Sequence, residues 1–385
     1  MTESEKKPTE PPQTVGTESE PATLGDTVVR GAGLSGAGYV LTQVLTLAFF
    51  VVLARLATPH EFGVFTAATL LVSIGMTFTE SGMMSALIHR KDRIDEAAST
   101  AVVASACGGL ALALIALAAA PLLGLIFDDS SVAEIAAAAS GLLFLRSLTV
   151  VPESLLQRRF SFLRRMVVQP VGVVAMGIGA VIATSNGLGA WGILIGYYAA
   201  GVTDVVLSWA LVGWRPRLHQ MSFAMWRELI AYGRHILGGT AVWRAGEELP
   251  VLLIGRFAGT AALGQFRYGS RMVGTPFALM LAGGTVIFPA LARITADRER
   301  FRAASRRSLR LMCGFTFPLV LILIPLAMPL AVLVFGSRWE DAGYAAMALT
   351  GMPVAATLVA FTSEVVKADG RPDVLPRMHA VTLVV

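Results

Sequence analysis

Five charged residues in two neighbouring apolar segments could form a binding site for an anion. Arg244 precedes Glu247 and Glu248, and residues three or four apart share one face of a helix. Arg267 and Arg271, in the next segment, are also four residues apart. A guanidinium can bond two oxygens at once, so the three arginines predict a site that suits a phosphate group of a ligand. Either glutamate could bind a coupling cation or proton, and a structural network of salt bridges across the two helices is the alternative.

Other charged residues inside apolar segments are candidates for ion coupling or gating, because charges at bilayer depth are costly and usually face a cavity or a partner. Glu80 and Asp204 are each either a proton-coupling carboxylate or a neutral carboxyl group hydrogen-bonded to nearby hydroxyls. Arg146 and Glu153 are expected to form a gate or a structural contact rather than a binding site. The candidates for ion coupling or gating are therefore Glu80, Asp204, Glu247, Glu248, Arg146 and Glu153.

No catalytic or metal-binding spacing accompanies these charges. The sequence has no Gly-Lys-Ser/Thr phosphate-binding loop, so no intrinsic ATP-driven step is expected. Its histidines are scattered without metal-ligand spacing, at His60, His89, His219, His235 and His379. We therefore expect neither an enzyme nor a metal site.

Long apolar segments must position these charges. Of the 385 residues, 55% are hydrophobic and only 15% are charged, whereas an ordinary soluble domain is roughly a quarter charged. This composition excludes most soluble enzymes and nucleic-acid-binding modules. About 20 apolar residues cross a bilayer as a helix, and such segments predict an all-α, polytopic integral membrane bundle. The predicted complete spans are 28–53, 62–88, 98–127, 132–153, 167–184, 189–213, 229–254, 262–290, 308–335 and 342–366, and an eleventh begins near Val374.

The positions of the basic residues predict the orientation of this bundle. The links after even-numbered spans carry 20 Lys and Arg residues, and the links after odd-numbered spans carry only Arg55, Arg256 and Arg338. Cytoplasmic loops are enriched in Lys and Arg, so the N-terminus is expected in the cytoplasm. The Lys and Arg residues behind the net charge of +5 thus mark the side of the bundle that meets anionic lipid headgroups. No nucleic-acid partner is therefore expected.

An internal repeat predicts the domain organisation. Residues 55–65 match residues 256–266 at an offset of 201, and further matches follow in order while the offset rises to 212. Six spans separate the copies, so both have the same orientation in the membrane. The expected parts are a disordered cytoplasmic tail (1–27), an N-terminal six-helix lobe (28–213) and a C-terminal lobe (214–385) of four full spans and a truncated fifth. We therefore expect a truncated sequence.

Several short motifs carry a family resemblance. The run Leu-Ala-Arg-Leu-Ala-Thr-Pro-His-Glu-Phe-Gly-Val-Phe at 53–65 resembles the signature of bacterial lipid-linked oligosaccharide flippases. These form the polysaccharide transporter family of the multidrug/oligosaccharidyl-lipid/polysaccharide exporter superfamily. The resemblance covers about 28–385 and departs from the family at the missing C-terminal part. Further matching motifs stand in the family's order at 252–257, 268–272, 288–293 and 334–339.

The resemblance implies a transport activity. It implies two six-helix lobes around a central cavity, which move an undecaprenyl-pyrophosphate-linked oligosaccharide from the inner to the outer leaflet of the bacterial cytoplasmic membrane. Transport would occur by ion-coupled alternating access, driven by a proton or a sodium ion and without a cofactor. Arg244, Arg267 and Arg271 would then bind pyrophosphate or sugar. The implied partners are the lipid-linked oligosaccharide, membrane lipids, and the polymerase and glycosyltransferases of the same pathway.

Other functions remain open at this point. A peptidoglycan-precursor flippase would bind a similar pyrophosphate-linked sugar. A drug or cation antiporter of the same superfamily fits the cationic segment less well. A membrane enzyme acting on the same lipid would normally need a sizeable loop outside the membrane, and the sequence has none. A non-functional truncated fragment is the last alternative.

Overall fold

The chain folds as a bundle of long helices. A computed structural model describes residues 24–90, 92–158, 162–217, 221–284 and 298–368, and all regular structure in these ranges is helical. The α-helices are α1 (Leu24–Leu56), α2 (Pro59–Ala68), α3 (Leu70–His89), α4 (Ile94–Phe127), α5 (Ser130–Ala139), α6 (Gly141–Arg158), α7 (Phe162–Ala183), α8 (Gly189–Val212), α9 (Phe223–Gly284), α10 (Arg298–Leu330), α11 (Glu340–Leu349) and α12 (Gly351–Ala368). Short π-helical turns at Thr184–Leu188 and Ala331–Phe335, and a 3-10 turn at Ser337–Trp339, connect some of them.

The described helices make this a multi-pass membrane protein. Within the described ranges, seven helical stretches are long and apolar enough to cross a membrane, or eight if the bent pair Ser337–Leu349 and Gly351–Ser363 counts as one span. Two of the seven stretches, Met166–Val212 and Arg244–Phe277, fold back on themselves. Within the described ranges, each predicted complete span therefore overlaps a helix, an arm of α9 or two consecutive helices, and residues 285–290 of the eighth span lie outside these ranges.

The fold-back inside α9 occurs at Gly259. Its φ of 86° and ψ of 168° depart from helical values, and glycine adopts a positive φ without steric cost. The side chain of Leu263 comes within 3.2 Å of the place that a Cβ on Gly255 would take. Eight residues of straight helix would span about 12 Å, so the chain must reverse between them. Helix α9 thus consists of two arms, 223–258 and 260–284.

Small residues hold α7 and α8 together. A Cβ on Gly196 would lie 2.6 Å from the Cβ of Ala180, and one on Gly179 would lie 3.2 Å from the Cβ of Ala199. Small residues at such points let two helix backbones approach closely in a membrane, where lipid gives no hydrophobic drive for association. These contacts make α7 and α8 an antiparallel pair.

Capping residues fix where the helices begin at one end of the bundle. Thr58 caps α2: its hydroxyl accepts from the Glu61 amide, and the Glu61 carboxylate accepts from the Thr58 amide at 2.7 Å. This reciprocal capping box satisfies two otherwise unpaired backbone donors. Asp129 caps α5 by accepting from the Ser131 amide at 3.0 Å. We call this side of the bundle, around Thr58 and Asp129, the hairpin end.

Arg90 and Arg158, from two of the basic links, lie at the opposite side, which we call the basic end. There, the Arg158 guanidinium donates to main-chain carbonyls at the end of α3, including that of Ile88 at 3.2 Å. Arg90 pairs with Glu228 at 3.1 Å, which ties the end of α3 to the start of α9.

Some predictions on domain organisation fall outside the described ranges. Residues 1–23 and the eleventh span, which was predicted from Val374, lie there. The last four residues of the predicted tail, 24–27, belong to α1. The boundary between the lobes at 213 and 214 stays a prediction, and below we refer only to the N-terminal half (24–213) and the C-terminal half (214–368).

Candidate functional site

A cavity of about 210 Å³ lies where the two halves of the chain meet. The N-terminal half contributes apolar and hydroxyl side chains from α1–α3 and α6–α8 to its wall. The C-terminal half contributes Arg267 and Arg271, from the second arm of α9. The four-residue spacing of the two arginines places them on one face of that arm.

The two arginines are cations without an anionic partner in the described ranges. Neither side chain has a carboxylate oxygen within ion-pair distance there. The guanidinium carbon of Arg271 lies 5.0 Å from the ring centroid of Phe50, which is cation–π distance. Arg271 is half-buried and Arg267 is exposed, and an aromatic face compensates only part of a positive charge that is taken out of water. The arrangement can therefore bind an anionic group that enters the cavity.

The third predicted arginine has a different environment. Arg244 Nη1 lies 2.9 Å from Glu247 Oε2, and both side chains are partly exposed. Arg244 is not among the residues that line the cavity. Glu248, on the same turn, is buried. The structure thus brings Arg267 and Arg271 together, whereas it places Arg244 and Glu247 in a local salt bridge within one arm of α9, not in the network across the two helices that the structural alternative expects.

The predicted gating residues of the N-terminal half lie next to the cavity. The Arg146 guanidinium makes two bonds to the Glu153 carboxylate, at 2.8 Å and 3.2 Å, and a third to Thr149. Asp204 on α8 lies within electrostatic reach of both charges. Leu142, one helical turn before Arg146, lines the cavity. This acidic and basic cluster therefore sits about one to three helical turns from the cavity lining, on the side of the basic end.

Asp204 is the unusual member of this cluster. Its Oδ1 atom is buried and has no hydrogen-bond partner in the described part of the chain. The same atom packs against the backbone of Gly172 on α7, where a Cβ would overlap it. A buried carboxylate oxygen without a partner is costly and often marks a functional group. Glu80 lies on α3, but its side chain is outside what the structure describes.

The sequence interpretation missed the hydroxyl groups that line the same cavity as the arginines. Thr66, Thr69 and Ser73 line the cavity at spacings of three and four residues, and Thr46 of α1 adds a fourth hydroxyl. This helical spacing is visible in the sequence. It does not show which face of α2 and α3 is turned towards the other half of the chain.

Contacts between the two halves at the hairpin end were also missed. His60 Nδ1 lies 2.8 Å from the Thr260 hydroxyl, and His60 Nε2 lies 3.7 Å from Asp129 Oδ2. Arg55 donates to the main-chain carbonyls of Leu333 at 2.6 Å and Val334 at 3.1 Å. These contacts join the first connection of the chain to three others, so the hairpin end is closed.

An aromatic cluster fills the space beneath these contacts. Trp339 and Tyr268 are fully buried, with ring centroids 3.7 Å apart. The Trp339 indole donates to the Ala54 carbonyl at 2.7 Å, and Phe50 stacks on Tyr268 at 3.9 Å. Aromatic pairs of this kind stabilise by about 0.5–1.5 kcal/mol beyond the area that they bury. The closed hairpin end thus has its own packed core, built from both halves.

In the described ranges, no three His, Cys, Asp or Glu side chains are grouped as metal ligands.

Comparison with solved structures shows the fold. The structure titled lipid II flippase MurJ, in the inward closed conformation, superposes with a TM-score of 0.72 at 16% identity, over 89% of this chain and 77% of that chain. An inward-facing multidrug resistance MATE family transporter of the MOP superfamily superposes with a TM-score of 0.63 at 17% identity, over 86% of this chain and 82% of that chain. These likenesses confirm the predicted all-α fold of a polytopic helical membrane bundle.

Curated relatives show which sequences the chain resembles. The succinoglycan biosynthesis transport protein ExoT of Rhizobium meliloti (strain 1021) is 25% identical over 325 residues, which cover 84% of this chain. The lipopolysaccharide biosynthesis protein WzxC of Escherichia coli (strain K12) is 23% identical over 328 residues, which cover 83% of this chain. The match spans 65% of the length of each of these two relatives. A family profile described as polysaccharide biosynthesis protein matches residues 52–344. The chain therefore belongs to this family of polysaccharide biosynthesis proteins.

Proposed function

We propose that the protein is a flippase for a polyprenyl-pyrophosphate-linked oligosaccharide, such as an undecaprenyl-linked one. The observation that carries this proposal is the pair Arg267 and Arg271, two cations without a carboxylate partner in the described ranges, in a cavity between the halves of a membrane bundle. A pyrophosphate offers two anionic groups, and each guanidinium fork can bond two of its oxygens. The names of the relatives, which describe succinoglycan transport and lipopolysaccharide biosynthesis, support a surface-glycan substrate.

The closed hairpin end supports transport by alternating access. In this proposal the basic end faces the cytoplasm, because cytoplasmic links are rich in Arg and Lys, and the hairpin end faces outwards. The membrane would be the bacterial cytoplasmic membrane, with the N-terminus inside. The substrate enters the cavity while contacts such as Arg55 with Leu333 and Val334 hold the outer side closed. Parting of these contacts would then release it to the outer leaflet.

A coupling ion would act next to the cavity. Asp204 offers an unpartnered carboxylate oxygen to a proton or a sodium ion, beside the pair of Arg146 and Glu153. Binding of a cation there removes the cost of the buried charge and so favours one packing of α7 and α8 over another. No cofactor and no catalytic step enter this proposal. The polymerase and glycosyltransferases that make and use the glycan are proposed as pathway partners.

Transport by proteoliposomes tests the proposal. The full chain is reconstituted with a fluorescent polyprenyl-pyrophosphate-linked oligosaccharide, and a membrane-impermeant quencher reports how much of it reaches the outer leaflet. We expect Arg271→Ala and Arg267→Ala each to slow transport at least about tenfold, the loss of one charge-assisted bond of about 1.4 kcal/mol. Arg244→Ala, which removes an arginine outside the cavity wall, is the matched control. Equal rates for all three variants and the wild type would contradict the proposal.

A peptidoglycan precursor is the second candidate substrate. The same two arginines would bind its pyrophosphate, so the observation that carries the first proposal favours this one equally at the phosphate group. A cationic drug is disfavoured, because two uncompensated positive charges in the cavity wall would repel it. Competition in the proteoliposome assay between lipid II and the oligosaccharide lipid separates the two candidates.

A further inference from the structure

The part of the cavity wall that the N-terminal half supplies carries four hydroxyl groups with the same hydrogen-bonding pattern. Each hydroxyl donates its hydrogen to a main-chain carbonyl of its own helix, one turn earlier. The bonds are Thr46 to Thr42 at 2.7 Å, Thr66 to Phe62 at 2.9 Å, Thr69 to Phe65 at 2.9 Å and Ser73 to Leu70 at 2.8 Å. A hydroxyl has one hydrogen and two lone pairs, so the lone pairs are what these groups retain for a ligand.

The two walls of the cavity therefore have opposite hydrogen-bonding character. Guanidinium groups have donors and no acceptor, and the wall of Arg267 and Arg271 can only donate. The hydroxyl wall can only accept while its hydrogens remain bonded to the helix. A ligand that fits both walls must carry an anionic acceptor on one side and hydroxyl or amide donors on the other. A phosphate next to a sugar ring has this arrangement.

We propose that Thr69 and Ser73, with Thr66 and Thr46, form a sugar subsite that recognises the residue attached directly to the pyrophosphate. This inference rests on the proposed function and deepens it, because it assigns the two parts of the substrate head to two walls. The hydroxyl oxygens accept from sugar hydroxyl or amide groups while the arginines bind the pyrophosphate. Because the positions of sugar hydroxyls differ between sugars, this wall contributes to glycan specificity.

An aromatic pair completes the subsite. The rings of Phe65 and Tyr197 both line the cavity, with centroids 4.9 Å apart. Aromatic faces can pack against the apolar C–H face of a sugar ring. The cavity, at about 210 Å³, is smaller than the 300–1,000 Å³ typical of small-molecule sites. In this closed state it therefore recognises one sugar residue and not the whole oligosaccharide.

Binding of short soluble probes tests the subsite. The full chain in nanodiscs is titrated with farnesyl pyrophosphate and with farnesyl pyrophosphate that carries glucose, galactose or N-acetylglucosamine, and the Kd of each is measured by calorimetry. We expect the wild type to bind at least one sugar-bearing probe about tenfold more tightly than farnesyl pyrophosphate. The double variant with Thr69→Val and Ser73→Ala should lose this preference and keep its affinity for farnesyl pyrophosphate. If the double variant does not fold, Ser73→Ala alone provides the same comparison.

Two controls separate failure of this inference from failure of the proposed function. Thr362→Val removes a hydroxyl that also donates to its own helix, at 2.6 Å to Leu358, but does not line the cavity, and should change nothing. Arg271→Ala should weaken all probes, with or without sugar. The subsite is overturned if the wild type shows no preference for a sugar-bearing probe, or if the double variant keeps that preference. In both cases the result for Arg271→Ala still stands. A wild type that binds no pyrophosphate probe overturns the proposed function and this inference together.

Discussion

Gly63 and Gly264 contact each other where the two halves of the chain meet. They are also equivalent positions in the sequence repeat, at the offset of 201. A Cβ on either glycine would lie 3.1 Å from the amide nitrogen of the other. The same Cβ on Gly63 would overlap the Thr260 carbonyl, and the one on Gly264 would overlap the Pro59 carbonyl. Pro59 and Thr260 are themselves related by the offset of 201. This reciprocity is what a two-fold axis between repeats produces.

The first prediction concerns this contact. Gly63→Ala should open the hairpin end, because the overlapping atom is a backbone carbonyl that cannot move without shifting an arm of α9. Ala57 is fully buried, and a cysteine there reports opening through reaction with a membrane-impermeant maleimide. In a background without Cys107 and Cys313, we expect Gly63→Ala to raise the labelling rate about tenfold, which corresponds to ~1.4 kcal/mol.

Gly274→Ala is the control for this experiment. It adds the same methyl group to the arm of α9 that Gly63 contacts, at a place where no neighbouring atom lies within 4 Å of the added Cβ. Labelling that is equally slow in both alanine variants would show that the close approach of the two glycines does not hold the end closed.

The second prediction concerns Arg55, which donates to two carbonyls at the end of the π-helical turn Ala331–Phe335. Arg55→Ala leaves these carbonyls without their donor and should weaken closure by about 1 kcal/mol, because the site is exposed and water replaces part of the interaction. The maleimide assay at residue 57 measures this change. Arg256→Ala is the matched control, since Arg256 is the repeat equivalent and makes no side-chain bond in the described ranges. Faster labelling in the control than in Arg55→Ala would contradict the prediction.

Much of this fold follows from the sequence. Hydropathy predicts the helices because about 20 apolar residues must cross the bilayer, and the repeat offset by itself pairs Gly63 with Gly264. Arg146 and Glu153 are seven residues apart, which is close to two helical turns, and they do form an ion pair. These features depend on local periodicity or on the repeat, and both are readable in one chain.

The composition of the site was harder to predict. Arg244 and Arg271 are both basic residues in neighbouring apolar segments, yet only Arg271 faces the cavity. The reversal at Gly259 and the rotation of each arm decide this difference, and both depend on packing against the other half of the chain. The hydroxyl wall has the same explanation, because serine and threonine can bond a carbonyl of their own helix on any face, so their spacing does not show what that face contacts.

The third prediction concerns the ion pair of Arg146 and Glu153, whose side chains are 27% and 15% exposed. Arg146→Met leaves the glutamate without its partner in a nearly buried place and should destabilise the protein by about 3 kcal/mol. The double variant with Glu153→Leu removes both charges and should recover most of that loss. Thermal unfolding in detergent provides the comparison. A double variant that recovers none of the stability lost in Arg146→Met would show that the pair does not interact.

The fourth prediction concerns Asp204, whose buried Oδ1 atom has no hydrogen-bond partner in the described ranges. Asp204→Asn keeps the shape and removes the charge. Because a charged carboxylate with a buried oxygen that lacks a hydrogen bond costs more than a neutral amide there, the melting temperature should rise by about 2–4 °C, equivalent to roughly 1 kcal/mol. Transport driven by an ion gradient should be lost, because an amide cannot take up a proton or balance a sodium ion.

This opposite response of stability and transport distinguishes a coupling carboxylate from a structural one. A structural Asp204 would lose stability and transport together when replaced by Asn. Glu134→Gln, which neutralises an exposed acid on α5, is the control and should change neither quantity. Calorimetry on the purified protein gives the melting temperature, and proteoliposomes with and without a proton or sodium gradient give the transport rate. Gradient-dependent transport that persists in Asp204→Asn would remove Asp204 from the coupling mechanism, even if the variant is more stable.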